Sequence, residues 1–303
     1  MKIHKKVNSW CQVEISKEHT NQTIESYLKN EWQFPKKLLH ELRMEKACKV
    51  NGEIKPWNTN LLDGDQIEFL LFRDEDYGVI PQKQSIEICY EDDHLLIVNK
   101  PYGAETHPNE KGQLNTLANG VAYHFESMGL KTKVRHIHRL DKDTTGGVVF
   151  AKHALSSAVL DSMLSQRKIK RTYTAIVEGD VKSTEGTINK AIGKDRHHPT
   201  KRRVSPNGDK AITHYKKIKY MPKLNVTIVE CRLDTGRTHQ IRVHLSYLGY
   251  PILGDKIYGS KYKLLNRQAL HASNVQFIHP FLKDNLTINI PFPSDLKQIL
   301  NVK

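Results

Sequence analysis

The sequence predicts an α+β protein, in which a small helix-and-strand module precedes a larger domain built on a mixed, mainly antiparallel sheet. Three observations carry this. Strand-like alternation recurs between helical stretches without the regular strand–helix–strand period of a doubly wound fold. A polar segment holding Gly and Pro, "RDEDYGVIPQKQS" (73–85), reads as a linker between residues 1–75 and 76–303. A chain of 303 residues, 38% hydrophobic and 26% charged, has ordinary globular composition and suffices for one large core or two domains.

In the first part, "NQTIESYLKNEW" places Ile24, Tyr27 and Leu28 at helical spacing. "PKKLLHELRMEKA" offers a second short helix, with Pro35 suited to its first turn. "CKVNGEIKP" carries Asn51-Gly52, a tight hairpin turn, and "LLDGDQIEFLLF" sets Asp63-Gly64 before an apolar strand. Two helices followed by strands around "VNG", over residues 13–72, resemble the alpha-L RNA-binding motif of a ribosomal protein. Residues 1–75 hold 12 Lys and Arg against 12 Asp and Glu, so this copy lacks the positive charge expected of an RNA binder.

In the second part, "SIEICY" and "HLLIVNKPYG" read as strands joined by a turn at "EDD". "NTLANGVAYHFESMG" puts Leu117, Val121 and Phe125 on one helical face. "GGVVFAK" is a strand, and "HALSSAVLDSMLSQRKI" a helix with Arg167 and Lys168 near its C-terminal end. "KRTYTAIVEG" and "KLNVTIVECRL" alternate as strands. "GRTHQIRVHLSYLG" reads as a turn and a helix closed by Gly249.

The formal charge is +14, from 47 basic and 33 acidic residues. It fits a polyanionic partner such as nucleic acid, or a protein that is merely basic. The excess is concentrated: residues 189–219 hold 10 Lys and Arg against 2 Asp. Lys194, Arg196, Lys201, Arg202 and Arg203 cluster there, before a hairpin signal at "SPNGD" (205–209). Such a run is either a solvated face or a phosphate-binding surface. The cysteines, Cys11, Cys48, Cys89 and Cys231, form no CxxC pair, which argues against disulfides and zinc. No apolar run reaches the ~18 residues needed to cross a bilayer, and the basic N-terminus lacks an apolar core. A cytoplasmic protein without membrane association is expected.

The stretch "RHIHRLDKDTTGGVVFAK" sets Asp141 just past a basic run and ahead of two glycines. An ion pair, a metal ligand and a nucleophile are all open readings of that carboxylate. His136 and His138 alone do not complete a metal site, and no phosphate loop, GxGxxG or GxSxG signature is present.

Four segments, "HRLDKDTTGG" (138–147), "KRTYTAIVEG" (170–179), "LDTGRTHQIRVHL" (233–245) and "LGYPILGDKIYG" (248–259), resemble the RluA-type pseudouridine synthases. "IVNKPYGAETHP" (97–108) and "LHASNVQFIHP" (270–280) support the match, and all six come in the family's order. Thr145 stands where the family more often has Ser; both carry a hydroxyl.

The resemblance implies a pseudouridine synthase catalytic domain that isomerises uridine in RNA without cofactor or metal. Asp141 matches the family's catalytic carboxylate, acting as nucleophile, stabiliser or base. Arg242 matches the guanidinium beside it, which would offset the pKa rise that desolvation imposes. Tyr173 matches the tyrosine that stacks on the extruded base, with Ile241 as the opposing wall. His138 and Arg139 precede the carboxylate; Arg139 either holds RNA backbone or forms a structural ion pair. Arg237 either contacts a phosphate or caps its turn. Lys201, Arg202 and Arg203 would meet phosphates. Gly146 and Gly147 let the chain turn close to another backbone. By analogy the partner is structured RNA, ribosomal first and transfer RNA second, and a monomer is expected. A non-catalytic RNA-binding factor or a metal-dependent RNA hydrolase are the rival classes.

Overall fold

The computed structural model describes residues 4–263 and 265–300. The first module is a four-stranded antiparallel sheet in the order His4–Val7, Trp10–Glu14, Gln66–Leu70, Cys48–Val50. The helices Ile24–Asn30 and Lys36–Met44 bury Ile24, Tyr27, Leu28, Leu39 and Leu42 in one cluster with Val13, Ile67 and Phe69. Thr23 caps the first helix by accepting from the Ser26 N–H. Asn51 (φ +54°) and Gly52 (φ +79°) are both left-handed, as a two-residue hairpin turn requires, and Val50 and Glu53 exchange backbone hydrogen bonds across them. The sequence reading did not anticipate the hairpin of the first two strands, although Cys11 and Val13 alternate into the core.

The main sheet runs Glu185–Asn189, Ile212–Met221, Val226–Leu233, Lys170–Glu178, Leu270–Ile278, Thr145–Ala151, Leu95–Lys100, Glu87–Glu91. Asn285–Asn289 and Arg135–His136 pair beside this path. Among the described strand pairs one is parallel, Leu270–Ile278 with Thr145–Ala151, and the others are antiparallel. That parallel join depends on Gly146 (φ +120°): a Cβ there would lie 2.4–2.7 Å from backbone atoms of Ala272.

Alternation sends Leu95 and Ile97 to one core and Leu96 and Val98 to the other. The first core takes the helix Ala154–Ser165 and the N-terminal module. The second takes the helices Leu117–Ser127, Gln240–Tyr247 and Ser294–Leu300. The module therefore shares apolar packing with the large sheet. Trp32 stacks on Phe281 with centroids 5.5 Å apart, and Phe72 sits edge-on to His153 at 5.4 Å.

Segment 73–85 has no helix or strand but is tied along its length to the second part. Glu75 pairs with Arg135, the Tyr77 carbonyl accepts from the Val134 N–H (3.0 Å), and Gln84 Nε2 donates to the Thr116 carbonyl (2.7 Å). The basic segment divides in two. Ile192–Lys194 and Arg202–Val204 form a small ribbon joined through residues 195–201, the Ser205–Gly208 turn that follows brings Asp209 back to Ile192, and Ile212–Met221 joins the main sheet. Among the described residues no helix is long and apolar enough to cross a membrane.

Candidate active site

The loop that carries Asp141 is fastened on both sides. Thr144 N–H donates to the Asp141 carbonyl (3.0 Å), turning the chain into the strand Thr145–Ala151. The Thr106 hydroxyl accepts from the Leu140 N–H and donates to the Leu140 carbonyl, both at 3.1 Å. Lys100, fully buried, donates from Nζ to the carbonyls of Pro101 (3.0 Å), Ala104 (2.6 Å) and Lys142 (2.8 Å). Three acceptors match the three N–H groups of an ammonium. Burial pushes the Lys100 pKa down to about 7, against the opposing pull of Asp143 and Asp141. The Thr145 hydroxyl meets His271 Nδ1 at 2.9 Å, so the position keeps its polar contact.

The Asp141 carboxylate, about one quarter exposed, opens on a cleft of about 790 Å³. Arg242 Nη1, from the helix Gln240–Tyr247, donates to its Oδ2 at 3.1 Å. The same guanidinium grips Asp255 with two bonds, Nε to Oδ2 (2.7 Å) and Nη2 to Oδ1 (2.9 Å), and lies 4.9 Å from the Tyr258 ring centroid. Burial works against the Arg242 charge, but the bonds and charge of Asp255, followed by Asp141, outweigh it and raise its pKa. Arg242 is therefore a fixed cation under the carboxylate.

Tyr173 and Ile241, each 4% exposed, line the cleft together with Asp141 and Arg242. Tyr173 sits on the strand Lys170–Glu178, between Cys231 and Ala272 of its neighbours. Arg139 is exposed on the wall. Arg237 also lines it; its Nε donates to the Lys210 carbonyl (3.3 Å), and its backbone N–H goes to Gln240 Oε1 (3.0 Å). Of the three consecutive basic residues only Arg202 lines the cleft. Lys201 Nζ lies 5.8 Å from the Tyr258 ring centroid, and Arg203 is exposed. His138 is not in the lining: it is buried behind the loop, where Nε2 accepts from the Val149 N–H (3.4 Å). Burial, then Arg171 and His136, hold its pKa well below the usual imidazole range.

Sequence reasoning missed three groups at the centre. Asp255 and Tyr258 lie in "LGYPILGDKIYG", and His239 lies between Arg237 and Arg242. His239 is left-handed (φ +59°) at the start of its helix and places Nε2 3.8 Å from Asp141 Oδ2. Spacing did not separate them from ordinary turn and helix residues; only their convergence on one guanidinium and one carboxylate does. The assembled cleft offers a carboxylate fixed from below by a cation, an aromatic and an aliphatic wall, and an arginine-lined mouth. That suits an extruded planar base on an anionic chain.

The family model described as RNA pseudouridylate synthase matches residues 94–247, and that of the RluD ribosomal pseudouridine synthase N-terminal domain matches residues 11–67. The chain is 47% identical over 285 residues to the uncharacterized RNA pseudouridine synthase YhcT of Bacillus subtilis (strain 168), covering 94% of both chains. It is 35% identical over 265 residues to the ribosomal large subunit pseudouridine synthase D of Xylella fastidiosa (strain Temecula1), covering 83% of this chain and 79% of that one. Among solved structures, Human RNA Pseudouridylate Synthase Domain Containing 4 aligns with a TM-score of 0.58 and 27% identity, over 71% of this chain and 91% of that one. With the α+β fold and the cleft around Asp141, these matches show that the chain belongs to the RluA/RluD family of RNA pseudouridine synthases.

Proposed function

We propose that this enzyme isomerises specific uridines of large-subunit ribosomal RNA to pseudouridine, with Asp141 as its catalytic carboxylate and no cofactor. The observation that carries the reading is the pair Asp141–Arg242: one carboxylate oxygen, Oδ2, takes the guanidinium at 3.1 Å, so the other is left for the ribose. The N1–C1′ bond breaks, the uracil turns, C5 bonds to C1′, and the C5 proton is lost as N1 regains one. Atoms balance without a redox partner. Asp141 either attacks C1′ or takes a ribose proton. As the base fills the cleft and expels water, Arg242 stays bonded to Asp141 and supplies a countercharge for it.

Tyr173 and Ile241 hold the base between them. Arg139, Arg237 and Arg202 hold the RNA backbone at the mouth, and Lys201 and Arg203 add phosphate contacts outside it. His138 acts from behind, through the loop. The substrate follows the relatives named ribosomal large subunit pseudouridine synthase D. The chain works as a cytoplasmic monomer of two parts, residues 1–75 and 76–303. Mapping pseudouridines in total RNA from cells with and without the gene tests this. Loss of named sites in large-subunit ribosomal RNA is expected. Loss confined to transfer RNA would overturn the substrate, and no loss would overturn the activity.

A further inference from the structure

His239 reaches the carboxylate from a second direction. Its Nε2 lies 3.8 Å from Asp141 Oδ2, the same oxygen that Arg242 binds. Its Nδ1 lies 2.9 Å from the Tyr258 hydroxyl. That hydroxyl accepts, at 2.9 Å, the backbone N–H of Arg202. The contacts favour one arrangement of the hydrogens. A backbone N–H can only donate, so the Tyr258 oxygen is an acceptor on that side. Its own hydrogen is available for His239 Nδ1, and that arrangement turns an N–H rather than a lone pair on Nε2 toward the carboxylate, which can only accept. A neutral imidazole that accepts at Nδ1 carries its proton on Nε2, the nitrogen that faces Asp141. Burial lowers the ring's pKa below the usual imidazole value, with Asp141 opposing and Arg242 adding to that. The backbone supports a demand at this position, since His239 is a non-glycine residue at φ +59°.

We infer that His239 is a positioning residue for Asp141: its Nε2–H, set in that tautomer by Tyr258 and in turn by the Arg202 backbone, closes on Oδ2 when substrate fills the cleft. The inference rests on the reading of Asp141 as the catalytic carboxylate. At 3.8 Å the contact is longer than a hydrogen bond, as is common before substrate binds. With His239 and Arg242 both on Oδ2, the carboxylate cannot rotate and the second oxygen keeps one direction. The chain of contacts has a further consequence. Arg202 belongs to the basic ribbon, so the strand that meets RNA is wired, through one phenol and one imidazole, to the reacting carboxylate. A shift of the ribbon on RNA would be felt at Asp141.

The first test uses the unaltered protein. Nitrogen-15 NMR of histidine-labelled enzyme should show His239 as the Nε2–H tautomer; an Nδ1–H tautomer would overturn the inference outright. Tyr258→Phe keeps the ring under Arg242 but removes the hydroxyl. His239 should then become a tautomer mixture, and the single-turnover rate should fall roughly tenfold, the effect of one hydrogen bond to a charged group. RNA affinity should stay within about twofold. An unchanged rate with a changed tautomer would overturn it. His239→Gln retains an N–H near the Nε2 position and should keep more activity than His239→Leu. Equal rates for the two would reduce His239 to packing. These outcomes are separable from a failure at Asp141, because the tautomer is read without turnover and Asp141→Asn is assayed by itself.

Discussion

Arg242 is held twice by Asp255, at 2.7 and 2.9 Å, and once by Asp141, at 3.1 Å. The two carboxylates thus have unequal shares in one guanidinium. Asp255, with 1% of its side chain exposed, neutralises a buried cation, and Asp141, at the cleft, is left less committed. Arg242 keeps its two-bond partner when Asp141 changes, and only the single bond to Asp141 when Asp255 does.

Asp141→Asn should therefore abolish pseudouridine formation while stability changes by no more than about 1 kcal/mol. RNA binding should survive, because phosphate and stacking contacts carry most of it. Thermal melting paired with product assay on a matched RNA checks this. A destabilised variant that still turns over would mean that Asp141 is a structural ion-pair partner.

Asp255→Asn should behave in the opposite way. It leaves the buried Arg242 with Asp141 alone, and stability should fall by about 3–5 kcal/mol. What folds should be slow, because Arg242 is then drawn onto Asp141. A stable, fully active variant in denaturant melts and turnover assays would refute the unequal sharing.

The basic ribbon should separate by position. Arg202→Ala, inside the cleft, should depress kcat/KM on a short RNA. Lys201→Ala and Arg203→Ala should mainly flatten the salt dependence of binding, by a log–log slope of about 0.7–0.9 for each lost phosphate contact. Identical effects of all three would mean that the ribbon binds RNA as an undifferentiated charge.

The N-terminal module should not come away cleanly. The polar segment 73–85 reads in the sequence as a linker, from which a fragment starting near Gln84 would fold alone. Trp32 stacked on Phe281 and Phe72 against His153 imply that this fragment exposes apolar surface and melts earlier than the whole chain. Trp32→Ala in the full chain should cost about 3–5 kcal/mol. A fragment as stable as the intact protein would show that these contacts contribute little.

Acid should weaken the same region through Asp92. Burial alone would raise its pKa, but His279, the N–H groups of Leu95 and His94, and the Tyr90 hydroxyl lower it well below the ordinary 3.8. The folded protein thus binds fewer protons there than the unfolded chain. Its contribution is complete above about pH 4 and is lost as pH falls toward the depressed folded value. Asp92→Asn should destabilise at neutral pH and flatten the acid limb of stability against pH. An unchanged limb would assign acid unfolding to other carboxylates.

Local signals determined much of this protein by sequence alone. Periodicity placed the helices around Ile24, Leu117 and Leu155, and the Asn51-Gly52 pair fixed its turn, because each is decided by neighbours a few residues away. Asp141, Tyr173 and Arg242 stood out because they lie in segments whose order resembles one family. Tertiary structure decided the rest. Asp141 and Arg242 are 101 positions apart, and no spacing rule reveals that Asp255 is the firmer partner of that arginine. Nor does the sequence show that His138 turns into the core while His239 faces the carboxylate. The polar segment 73–85 looks like a free linker because its own side chains bury little. It is held instead by bonds to Arg135, Val134 and Thr116, distant groups that only the folded chain brings within reach. Hydrogen bonds and ion pairs act over about 3 Å, and what lies within that radius of a side chain is set by packing.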